Sequence, residues 1–184
     1  MNWLLPRSAT TAVVAVILLS SCSKSLPERT FKSDEEDFAV DFPGTPEIQT
    51  GSDEHWSVKA FQVGERVGDG GILFSVNFSR LTAGGRLGKG LRPIAILKGH
   101  VAGFCGTLGG MPEDVSVSET KFDNRYPALE YSCGKALGER SLVNEGWMIF
   151  QPDRIVRISV SYSEGLREAV SPRYRLFLNS LALR

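Results

Sequence analysis

The stretch VGDGGILFSVNF, Val67 to Phe78, decides the class of fold. Ile72, Phe74, Val76 and Phe78 fall on every second residue. Strand side chains point alternately to opposite faces, so this spacing predicts a strand with one face in a core. The glycines of VGDGG place a turn before it. Upstream, Trp56, Val58 and Ala60 alternate in the same way, while Phe61 and Val63 fall on the opposite parity. A bulge or a second covered face accounts for that shift. Further upstream, DFAVDFPGTP carries Phe38, Val40 and Phe42 on one parity and ends in Pro43-Gly44, a type II turn pair. Three antiparallel strands are the simplest account of this first half.

Downstream the period changes. Ile94, Leu97, Val101, Phe104 and Cys105 form one helical stripe, with Pro93 at a favoured first position and Gly109-Gly110 beyond the end. Four strand-like stretches follow, around Val115 and Val117, Leu129 to Cys133, Trp147 to Phe150, and Val156 to Tyr162. Ser171-Pro172 reads as the cap and first turn of a last helix bearing Tyr174, Phe177, Leu178 and Leu181. The expected order is βββαββββα. Strands in runs with helices as blocks predict the α+β class, a central antiparallel sheet of about six to seven strands flanked by helices.

Three segments, EEDFAVDFPGTP, WMIFQPDRIVRISVSY and RYRLFLNSLAL, together make the chain resemble the PsbP-like superfamily and its DcrB-like bacterial envelope members over residues 31–183. The resemblance implies an α/β/α sandwich without a shared catalytic apparatus. It also implies a binding or scaffolding role, since characterised relatives mostly act by binding other proteins.

The amino terminus bears on compartment. MNWLLPRSATTAVVAVI has Arg7 as its only charge, and the apolar run from Ala12 to Leu19 is shorter than the roughly 20 residues that span a bilayer. A basic start, a short apolar stretch and small residues describe a secretory signal peptide. Leu19-Ser20-Ser21-Cys22 resembles the lipobox of bacterial lipoproteins, which implies removal of residues 1–21 and acylation of the Cys22 thiol. Ser23 is not the aspartate that signals inner-membrane retention, so the outer membrane, facing the periplasm, is the expected destination. Residues 22–36 then read as a lipidated tether and residues 37–184 as one globular domain. Removing Arg7 from 21 basic residues leaves 20 against 21 acidic ones, which gives no positive excess for nucleic acid.

Lipidation of Cys22 leaves Cys105 and Cys133, so one pairing is open to them and an exported chain permits it. Closing that loop of 28 residues (133 minus 105) stabilises by about 3.5 kcal/mol in the chain-entropy model. Two buried thiols are the alternative, because spacing alone does not bring the Cα atoms together.

The remaining motifs are weak. AGGRLGKG, Ala83 to Gly90, lacks the first glycine and the Ser or Thr of a phosphate loop, so it reads as a connection whose Arg86 and Lys89, with Arg92, form a basic contact surface. His55 and His100 have no second ligand at metal spacing, and SCGK, Ser132 to Lys135, ends a strand without the partners of a penicillin-recognising enzyme. The carboxylates Asp153 and Glu164 have nothing in the sequence to bring them together as an acid and base. The acidic run Asp34 to Asp37 reads as a solvated segment. Trp56, Trp147 and Phe150 read as core, or as the lining of a groove where a helix leaves part of the sheet uncovered. The functional expectation is a non-enzymatic, membrane-anchored module with a protein partner and no cofactor. A small-molecule or lipid pocket between sheet and helix is the alternative.

Overall fold

The computed structural model describes residues 30–82, 92–108, 115–137 and 140–184, without the side chains of residues 135–140. Seven strands form one antiparallel sheet: β3 (Glu47–Ser52), β4 (Trp56–Val67), β5 (Gly70–Leu81), β6 (Val115–Phe122), β7 (Tyr126–Leu137), β8 (Arg140–Gln151) and β9 (Arg154–Ser163). Their spatial order is β3-β4-β5-β9-β8-β7-β6. A second sheet of three strands has β2 (Phe38–Asp41) between β1 (Thr30–Ser33) and β10 (Ala182–Leu183). Helix α1 spans Pro93–Thr107, and α2 spans Arg167–Asn179 after a 3-10 turn at Glu164–Leu166.

The alternation of β5 meets an equal alternation on β9: Ile72 faces Tyr162, Phe74 faces Val160, Val76 faces Ile158 and Phe78 faces Val156. Such cross-strand pairs bury apolar surface on one face and thereby hold the register. This face carries the larger core, which α2 and the small sheet cover with Val170, Phe177, Leu178, Phe38, Val40 and Phe42. Phe177 lies 5.3 Å from Phe42 and 5.2 Å from Phe74, ring centre to ring centre, joining helix, small sheet and large sheet. On the opposite face α1 buries Leu97, Val101 and Cys105 against Leu129, Tyr131, Cys133 and Met148. The parity shift in β4 is a second covered face: its pairing with β5 runs unbroken from Trp56 to Val67, with Trp56 on the α1 side and Phe61 in the larger core.

Helix α1 has the expected span and proline start, while Gly109-Gly110 fall outside the described residues. Several expectations are corrected. The segment DFAVDF does not join the main sheet; β2 pairs with the two ends of the described chain instead. Three strands carry no readable signal: β3 is exposed at all six positions, β10 has two residues, and β1 lies in a polar segment. Burial imposes the period of two, so a strand without a buried face need not show it. The order is therefore βββββαββββαβ.

The tether is expected to reach residue 36, but Thr30–Ser33 pair with β2 and belong to the small sheet, and residues 22–29 lie outside the described residues. Nor is the whole acidic run solvated. Glu36 is buried, its carboxylate accepting from Arg80 Nη2 at 2.6 Å and its carbonyl from Arg154 Nη1 at 2.7 Å. Removing one member of such a buried cluster leaves a charge uncompensated, at a cost of about 3–5 kcal/mol. Helix α2 starts at Arg167, so Ser171-Pro172 is not its cap and Pro172 lies inside it. Pro172 is exposed, so the carbonyl four residues earlier, left without a helical donor, belongs to an exposed residue.

Candidate functional site

The site begins with the register of β7 and β8. Glu130 stands opposite Trp147, and Glu145 precedes Trp147 by two residues on the same face. Diagonal neighbours of this kind lie roughly 7–8 Å apart, so the two carboxylates flank one indole. Ile149, two residues further on, is fully buried, whereas α2 crosses the sheet in a way that leaves Trp147 half-buried and Glu130 exposed.

The result is a groove between α2 and the sheet. One cavity of about 420 Å³ is lined by Glu130, Glu145, Trp147, Tyr162 and Tyr174, with Arg167 and Arg175 also at its walls. A second, of about 300 Å³, is lined by Phe122, Leu181 and Leu183 among others. The two share Trp147, Leu178 and Asn179. Another cavity, of about 510 Å³, lies at the β4–β5 turn. Gly68, Gly70 and Gly165 take up much of its wall and bring no side chain to it.

Charge in the groove is organised around Glu145. Its carboxylate accepts the hydroxyl of Tyr162 and lies 3.4 Å from Arg167 Nη1. Burial pushes the Tyr162 hydroxyl well above its ordinary pKa, and the bond to Glu145 adds to the shift. Tyr174 is raised in the same direction, first by burial and then by the negative fields of Glu145 and Glu130. Both phenols therefore stay protonated donors. The indole Nε1 of Trp147 is buried and meets no acceptor among the described residues. Glu130 makes no ion pair with any described residue. The groove thus offers aromatic walls, a paired carboxylate at Glu145 and, at Glu130, a carboxylate without a described ion-pair partner.

The α1 face holds a second polar set, and it is largely self-satisfied. Tyr131 donates to Asn144 Oδ1 at 2.7 Å, and Asn144 donates to Ser161 Oγ at 2.6 Å. Asn77 donates to Ser75 Oγ at 3.0 Å, and Ser75 meets Ser159 at 3.2 Å. Arg157 stacks on Phe104, 3.6 Å from the ring centre. Burial raises the Tyr131 hydroxyl to about 12.

Residues singled out in the sequence fall as follows. Cys105 and Cys133 form a disulfide with Cα atoms 6.0 Å apart, tying α1 to β7. Cys22, Arg86 and Lys89 lie outside the described residues, and Arg92 is exposed immediately before α1. His55 sits in an exposed turn, its backbone N–H donating to Asp53, while His100 packs edge-on to Trp56 at 4.6 Å. Burial lowers the pKa of His100. Asp153 and Glu164 stand at opposite ends of β9. Ser132 and Lys135 are both within β7, so no helix opens there. Trp56 and Phe150 pack with the α1 core, and Trp147 alone of the three aromatics lines the groove.

Sequence reasoning did not find Glu130, Glu145 or Tyr174. A signal existed: Glu145 shares the strand parity of buried Val143 and Ile149. A carboxylate on an inward parity is unusual unless it is paired or lines a cavity.

Among the described residues no group of His, Cys, Asp or Glu is placed to hold a metal ion. No described helix is long and apolar enough to cross a membrane. The chain matches no protein-family model and no curated protein.

Proposed function

We propose that this protein is a non-enzymatic binding module of the bacterial cell envelope, anchored by acylated Cys22, which holds a segment of a partner protein in the groove between α2 and the sheet. The observation that carries the reading is the pair of adjoining cavities that share half-buried Trp147, with aromatic walls and a Glu130 carboxylate that pairs with no described cation. The antiparallel sheet with a helix on either face supports the PsbP-like resemblance and, by analogy, the binding role.

Anchoring gives the groove a location. Eight residue steps separate Cys22 from Thr30, a reach of at most about 28 Å. The domain then stays close to the bilayer, where a raised local concentration makes a weak interface sufficient.

A small polar molecule in the same groove is the second reading, favoured by cavities of about 420 and 300 Å³ that fall at the lower end of ligand-sized pockets. Glu130 and Glu145 disfavour an acyl chain there.

The test places a photo-crosslinking amino acid at Asn179, on the groove, and separately at Ile48, on the far edge strand, in the full-length protein in its native cells. A partner captured from position 179, absent from 48 and reduced in Cys22→Ser, is the expected result. Equal capture from both positions counts against the groove. No protein from either, with a small molecule retained in native mass spectra, replaces the first reading by the second.

A further inference from the structure

We propose that the occupant presents an arginine side chain, which bridges Glu130 and Glu145 between the rings of Trp147 and Tyr174. This inference rests on the groove being the binding site and adds the chemistry that it selects.

Three observations carry it. First, two carboxylates lie diagonally across paired strands on one face of one cavity; among the described residues Glu145 pairs with Arg167 and Glu130 with none, while Arg175, also at the wall, pairs with neither. Like charges so placed repel, and a single guanidinium relieves both because its planar fork donates in two directions. Second, the walls are aromatic, and a guanidinium stacks on indole and phenol faces in a way that a compact ammonium does not. Third, the chain supplies its own stand-in. Arg167 reaches Glu145 from the start of α2 at 3.4 Å, with a second, looser approach to Glu164 at 4.0 Å. Its side chain is 53% exposed, so this pair is screened and easily exchanged. Arg167 shows that a guanidinium can approach Glu145 in the folded protein, and it competes with a partner's arginine for that carboxylate.

Competition gives the test a sign that misfolding cannot mimic. Full-length protein in detergent micelles is titrated by calorimetry with the peptide acetyl-Gly-Arg-Gly-Arg-Gly-amide. The neutral isostere with citrulline at both arginines is the control. The arginine peptide is expected to bind at least tenfold tighter than the citrulline peptide. Glu130→Gln should lower its affinity about tenfold, a loss consistent with one charge-assisted hydrogen bond. Arg167→Ala should raise affinity several-fold by freeing Glu145, and Glu47→Gln, on the distant edge strand, should change nothing. Equal binding of the two peptides, no binding of either, or an Arg167→Ala variant that binds more weakly overturns the inference. Equal binding of both peptides that is lost in Trp147→Ala would leave the groove as the binding site and remove only its selectivity for a cation.

Discussion

Gly146 is where a single atom decides whether the site exists. A Cβ added there would lie 2.1 Å from the carbonyl oxygen of Ile158 and 2.8 Å from Cα of Ser159, both backbone atoms of β9. Neither can swing aside as a flexible side chain would, so β8 would have to separate from the central strand. Gly146→Ala is expected to destabilise the protein by about 3 kcal/mol, read as a shift of the urea midpoint. It should also disturb the groove, because Glu145 and Trp147 are its two neighbours in the chain. A loss below about 0.5 kcal/mol, the ordinary effect of a surface change, would contradict the close approach.

At the scale of elements, α1 is a helix that depends on what it touches. Gly99, Gly103 and Gly106 are exposed on it, each costing about 1 kcal/mol relative to alanine. Arg92 gives no side-chain cap, and neither end carries a charge that favours the helix dipole. What holds it is packing, with Leu97 and Val101 buried on β7 and β8 and Phe104 under Arg157, and the Cys105–Cys133 bond. Replacing both cysteines with alanine should cost about 3.5 kcal/mol and raise hydrogen exchange in α1 more than in α2. Uniform exchange across both helices would show that packing alone holds α1. The spacing of Leu97, Val101 and Cys105 made this helix legible in the sequence, as Ile72 to Phe78 made β5 legible. Both elements bury one face, and burial writes a period into the chain. Strand β3 buries nothing and β10 is too short to show a period, so neither was legible. In the sequence the site is legible only through Trp147, whose pattern fits core or groove. Glu130 and Glu145 became neighbours through a register that no local pattern specifies.

The small sheet joins segments far apart in sequence. Strands β1 and β10 flank β2, the backbone N–H of Asp41 donates to Ser180 Oγ at 2.9 Å, and that of Arg184 donates to the Asp37 carbonyl at 3.0 Å. Within the large sheet β5 pairs with β9, across the whole of α1 and three intervening strands. Contacts between residues so distant in sequence slow folding, because the entropy of closing long loops precedes any gain. Refolding after dilution from urea is therefore expected in milliseconds to seconds by stopped-flow fluorescence. Full recovery within microseconds would argue for a locally nucleated fold. The lateness of β9 and β10 bears on biogenesis. A ribosome that has made residues 1–150 has produced β5 without its central neighbour and β2 with only one of its two. The nascent chain thus lacks the means to lock itself shut until β9 and β10 follow, and under the export proposed above it would stay threadable up to that point.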